Sequence, residues 1–220
     1  MNMKSPLVRF ILIAGLIYFG CIAAFNLPPV EGVFNASILR VSEGILTVLL
    51  PDASIKVVTG KEDNGRRSPN VMQVNFSWTK EQINQMTQKA LQEKVQNLTV
   101  PHRFTKYFIY QFFSIPLILF FALFLATPMK LLDKMKAVLY GGIILFVFLW
   151  GKLFILVLFS ISNTRIGIYE LSASTMEILL KVASILTLGV SVILVIVLWG
   201  IFALPKSRML DSFQQILKGQ

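Results

Sequence analysis

The sequence predicts a mainly α, polytopic membrane protein with four transmembrane helices and a small α+β extracytoplasmic domain between the first and second. Three observations predict it. Residues 7–25, 107–127, 137–162 and 177–204 are apolar runs, each long enough at ~1.5 Å rise per residue to cross a ~30 Å hydrocarbon layer. The chain is 55% hydrophobic and 15% charged with a mean hydropathy of +0.69, more apolar surface than a soluble domain of 220 residues can bury. The charge is also uneven. Lys4 and Arg9 precede the first run, Lys130, Lys134 and Lys136 fill the gap between the second and third, and Lys206, Arg208 and Lys218 follow the fourth. The positive-inside rule therefore places both termini and residues 128–136 in the cytoplasm, with 26–106 and 163–176 outside. A net charge of +10 arranged this way points to membrane topology and excludes nucleic acid as the expected partner.

This reading divides the chain into an N-terminal anchor (1–25), an extracytoplasmic α+β segment (26–106), a three-helix transmembrane bundle (107–204) and a cytoplasmic amphipathic tail (205–220). The first run also resembles a secretory signal, with Lys4 and Arg9 as its charged region and small residues near Cys21. Its 19 apolar residues are long for a signal core, which favours an anchor. The chain has one cysteine, so no internal disulfide braces the outer segment.

Within 26–106, Phe34, Ile38, Val41, Ile45 and Val48 recur at steps of four and three, a helical stripe opposite Asn35, Ser42 and Glu43. Pro51 stops the helix. The stripe is the candidate partner-contact surface. Residues 54–59 and 71–78 read as two strands, the second alternating Met72, Val74, Phe76 and Trp78 with polar residues, and Asn64 before Gly65 favours a tight turn between them. Thr79 and Gln82 form a capping-box start for a helix to about residue 97. Its apolar face, Ile83, Met86, Ala90 and Val95, is thin. A hairpin is marginal alone, so this segment is expected to dock on something. Asn35, Asn75 and Asn97 head glycosylation-acceptor triplets on the outside, a pattern with no meaning in a bacterium.

Pro116 inside the second run removes a backbone donor and predicts a kink. Gly141, Gly142, Gly151, Ser184 and Gly189 are small residues suited to close helix approach. After Pro205, Met209, Leu210, Phe213, Ile216 and Leu217 share one helical face beside Lys206, Arg208 and Lys218, as in a helix resting on the inner surface.

Candidate chemistry is sparse. Lys152 is a basic residue well inside the third run, where an unpaired charge costs ~2.5–3.5 kcal/mol on insertion scales. A polar cluster of Lys152, Gln111 and Glu177 at outer depth is the intramembrane site candidate; the plainer alternative is that the lysine stem lifts its ammonium to the interface. Cys21 and His102 are the only residues of their types and lie near the outer surface, but no oxyanion donor or orienting carboxylate accompanies them, so no catalytic residue is assigned. No phosphate loop or metal-ligand spacing occurs, and no cofactor or metal is expected.

The first span ending in proline, the outer helix closing in Leu49, Leu50, Pro51 and Asp52, the short β segment, the stretch Phe113 to Pro128 around Pro116, and the final stretch Val197 to Phe202 around Trp199 together resemble the small membrane proteins associated with exosortases, particularly the exosortase H-associated type. The resemblance implies an accessory to a bacterial inner-membrane enzyme that processes carboxy-terminal sorting signals. Exosortases use Cys, Arg and His at the outer face; the surroundings of Cys21 do not match, so no such role transfers. The polar 80–97 helix also departs from the shorter outer segment the family implies. The expected function is a non-enzymatic integral membrane accessory of a protein-sorting or secretion enzyme, with the lipid bilayer and another integral membrane protein as partners. The alternatives are an intramembrane enzyme or transporter built around Lys152, or a structural subunit of a larger membrane complex.

Overall fold

The computed structural model describes residues 6–62, 65–92, 102–164 and 166–207. Asn64, Val95, Asn97, Arg165 and, of the amphipathic tail expected over 205–220, the residues from 208 onward lie outside the described residues. In order, the elements are α1 (Pro6–Phe25), α2 (Pro28–Leu49), β1 (Ala53–Lys61), β2 (Arg67–Trp78), α3 (Lys80–Gln92), β3 (His102–Phe108), a π-turn (Tyr110–Ser114), α4 (Ile115–Ala126), α5 (Leu131–Asn163), α6 (Ala173–Thr187) and α7 (Val190–Phe202). A 3-10 turn, Leu204–Lys206, closes the described chain. The protein is mainly helical with one small sheet. Three helices, α1, α2 and α5, are long and apolar enough to cross a membrane, and α6 with α7 makes a fourth span if that bent pair counts as one. Such helices fit a membrane protein.

The chain forms two compact units that do not follow sequence order. One comprises residues 1–31, 110–149 and 189–220, the other 32–109 and 150–188. The helical unit holds α1, α4, the first part of α5 and α7. Phe10 stacks on Trp199 with ring centroids 5.4 Å apart, and Leu7, Ala14, Ile17, Leu123, Ala126 and Leu204 pack around them. Trp199 Nε1 donates to Thr127 Oγ1 at 2.8 Å, and that hydroxyl donates to Leu123 O at 2.6 Å. The Thr127 hydroxyl thus ends α4 and receives α7 together. A β-carbon at Gly141 would come within 3.0 Å of the Phe120 ring and 3.2 Å of Phe124, so this glycine does allow the close approach its size suggests. Gly151 faces open space and Gly189 serves a turn; neither permits a tight helix contact.

The second expected span is a composite. Residues 102–108 are strand, 110–114 a π-turn, and only 115–126 are α-helix. Pro116 lies in the first turn of α4, where its missing N–H costs little. The irregularity expected at the proline is found in the turn before it, as the π-turn Tyr110–Ser114. The fourth run, 177–204, is likewise broken: α6 and α7 bend by 68° at Leu188 and Gly189, and Gly189 adopts φ 78°, a conformation that costs side-chain-bearing residues ~1–2 kcal/mol. The third is longer than expected. At ~1.5 Å per residue, the 33 residues of α5 extend about 50 Å, well beyond a ~30 Å hydrocarbon core. Its first half leaves Leu139, Ile143, Phe146 and Val147 exposed, whereas Lys152, Leu153, Leu156, Val157 and Ile161 of the second half are buried.

The sheet unit is an antiparallel meander in the order β1-β2-β3. Ala53 pairs with Trp78, Ile55 with Phe76 and Val57 with Val74; on the other side Met72 pairs with Tyr107 and Phe76 with Arg103. The expected alternation in β2 holds, and Met72, Val74 and Phe76 are fully buried. The expected hairpin gains a third strand from residues 102–108, which supplies the support that two strands lack. Gly65, at φ 81°, closes the β1 to β2 connection as expected. The Thr79 capping box forms in both directions: Gln82 Oε1 accepts from Thr79 N–H at 3.0 Å, and Thr79 Oγ1 accepts from Gln82 N–H at 3.4 Å. The α3 that follows buries none of its side chains.

Candidate functional site

The partner-contact stripe expected on α2 divides between two faces. Ile38 is buried, Phe34 and Ile45 are half-buried, and Val41 and Val48 are exposed. The face that α2 buries is Asn35, Ile38, Ser42 and Leu46, rotated toward the residues expected to be wet. The reason is hydrogen bonding to the sheet. Glu43 Oε2 accepts from Val57 N–H at 3.0 Å, taking a donor that edge strand β1 leaves unpaired. Asn35 Nδ2 reaches Asn70 Oδ1 at 3.4 Å. These polar contacts turn α2 so that Val33, Val41 and Val48 face outward, up to 78% exposed at Val48. An amphipathic stripe shows where apolar side chains gather, but not which side the rest of the chain will occupy.

Lys152 is buried in the second half of α5 at 8% exposure. Glu177 forms an ion pair with Lys181 at 2.7 Å, with both side chains more than 60% exposed. Its carboxylate is thus engaged within its own helix, in a surface pair worth ~0–1 kcal/mol. Gln111 lies on the π-turn of the helical unit. Lys152 and Glu177 belong to the sheet unit. Cys21 sits half-buried on α1 and His102 is exposed at the start of β3.

Two features had no sequence signal. One is the fixed connection between α5 and α6. Trp78 Nε1 donates to Ile166 O at 2.8 Å, and Asp52 N–H donates to the Tyr169 hydroxyl at 3.2 Å. Burial holds the Tyr169 phenol above its ordinary ionisation range, the hydrogen bond from Asp52 lowers it, and the Asp52 carboxylate raises it. The other is the open sheet face. Phe104 and Phe108 on β3 are 53% and 52% exposed, with Lys106 Nζ 5.9 Å from the Phe104 ring centre. Among the described residues no group of three or more His, Cys, Asp or Glu side chains is placed to hold a metal ion. No protein-family model, curated protein or solved structure matches this chain.

Proposed function

We propose that the protein is an integral membrane accessory, a partner of a bacterial inner-membrane enzyme of the exosortase kind, with its termini in the cytoplasm and its sheet outside. It acts by presenting a small folded surface to another membrane protein and carries out no reaction itself. The exposed pair Phe104 and Phe108 on the open sheet face carries this reading. Aromatic side chains contribute large contact area at low entropic cost and are enriched at protein interfaces. Lys and Arg between the spans support the orientation.

The test is co-purification with an exosortase-type enzyme after co-expression, using Phe104→Ser/Phe108→Ser. The variant is expected to keep its thermal transition and lose the enzyme. Retained co-purification, or unchanged sorting when the protein is deleted, would sink the proposal. The burial of Lys152 favours a second reading, an enzyme or transporter built around that ammonium. Lys152→Met is expected to leave partner binding intact under the first reading and to abolish activity in cells under the second.

A further inference from the structure

A cleft of about 700 Å³ opens between the end of α5, the connection 166–172 and the first turns of α6. That volume lies within the ~300–1,000 Å³ typical of small-ligand sites. Phe159, Met176 and Leu180 make an apolar wall, and Ser162, Glu170 and Glu177 contribute polar groups. The surrounding backbone is fixed in place. Trp78 and Asp52 hold the connection at Ile166 and Tyr169, and Ser172 caps α6 by accepting from Thr175 N–H at 3.2 Å.

Two observations give the cleft a chemical preference. Ser162 Oγ is buried at the cleft wall without a hydrogen-bond partner among the described residues, a state that costs ~1–3 kcal/mol until rotation of the side chain toward the cleft lets a ligand or water satisfy it. Glu177 is engaged by Lys181, which among the described lining residues leaves Glu170 to set the sign of the site. A carboxylate repels an anionic head group and attracts an ammonium, while the apolar wall suits the start of an acyl chain. We propose that this cleft binds an amphiphile with a primary ammonium head group, of the phosphatidylethanolamine class. Glu170 accepts from the ammonium, Ser162 donates to a phosphate or ester oxygen, and Phe159, Met176 and Leu180 line the chain. This site goes beyond the accessory reading and needs no protein partner.

The experiment is native mass spectrometry of the full-length protein equilibrated with equal amounts of dioleoyl phosphatidylethanolamine, phosphatidylcholine and phosphatidylglycerol. Phosphatidylethanolamine should be retained about tenfold over phosphatidylglycerol, the effect of one charge-assisted hydrogen bond. Glu170→Gln should bring the two to parity with an unchanged thermal transition, and Ala173→Trp, which fills the cleft, should remove retained lipid of every class. Excess soluble phosphoethanolamine should fail to displace the lipid. Equal retention by the unmodified protein, or an undiminished preference in Glu170→Gln, would overturn the site. Displacement by soluble phosphoethanolamine would overturn its assignment to a lipid. Because no partner protein enters the assay, either failure leaves the accessory reading to its own test.

Discussion

The helical unit and the sheet unit both contain more apolar side chain than they bury, but they are held together differently. In the helical unit the interior is ring stacking and close helix approach, with the Trp199 to Thr127 hydrogen bond as a part-buried polar link and Ser114 and Ser191 buried beside the apolar side chains. Ile11, Leu16, Phe19, Val147 and Ile201 remain exposed. In the sheet unit, buried Asn35, Ser42 and Lys152 accompany the apolar core, and hydrogen bonds from Val57 N–H to Glu43, from Trp78 Nε1 to Ile166 O and from Asp52 N–H to the Tyr169 hydroxyl join separate elements. Under the proposed topology the difference is one of solvent. Where lipid surrounds a helix, an exposed leucine costs nothing and packing alone gives specificity. A sheet at an aqueous face must satisfy its edges and carry its own core.

The strongest test of this contrast is Phe76→Ala. Phe76 is fully buried, and truncating a buried phenylalanine costs ~3–5 kcal/mol. The sheet should melt at lower temperature in far-ultraviolet circular dichroism while Trp199 fluorescence, read with Trp78 and Trp150 replaced by Phe, keeps its native maximum. Loss of both signals together would show that the two units fold as one.

The converse is Gly141→Leu, expected to cost about 1–3 kcal/mol because the added side chain meets the Phe120 and Phe124 rings. Helix packing, followed by resistance to detergent exchange, should weaken while the sheet's transition stays in place. An unshifted detergent sensitivity would mean that α4 and α5 can separate at little cost.

The contrast also explains what the sequence could express. Apolar run length found α1 and the body of α5, because a helix needing lipid must be apolar all round. Alternation found β2, and Thr79 with Gln82 found the start of α3, since both are local signals. Three outcomes depended on partners far along the chain. The face of α2 was set by Glu43 bonding to Val57, β3 by pairing with β2, and the cleft by Trp78 and Asp52 reaching residues 88 and 117 positions away. The break at Gly189 was hidden because its flanks are as apolar as an unbroken span. Of the expected polar cluster Lys152, Gln111 and Glu177, Glu177 is paired instead with Lys181, one helical turn away.

An effect of similar size is expected from Thr127→Val. Valine keeps the shape and removes the acceptor for Trp199 Nε1, and an unsatisfied donor of this kind costs about 1–3 kcal/mol. Trp199 emission should shift and the helical unit should become more sensitive to detergent. No change in either would assign the unit's specificity to the Phe10 ring contact alone.

The smallest effect is a response to pH confined to the sheet unit. Because burial raises the folded-state ionisation of Tyr169 above its ordinary value of 10.0, the phenol's contribution to stability is full below that value. It is lost as pH climbs through the folded value, since the unfolded chain releases the proton first. The connection 166–172 should therefore loosen at alkaline pH. With Trp150 and Trp199 replaced by Phe, Trp78 reports this directly, because its indole N–H bonds to Ile166 O in that connection. Its emission should move toward that of exposed tryptophan as pH rises above the phenol's ordinary value of 10.0. Tyr169→Phe should remove the step, since phenylalanine has no proton to lose, while leaving the neutral-pH emission close to native. A step of equal size in Tyr169→Phe would place the alkaline sensitivity elsewhere and remove the titratable link from the contrast between the two units.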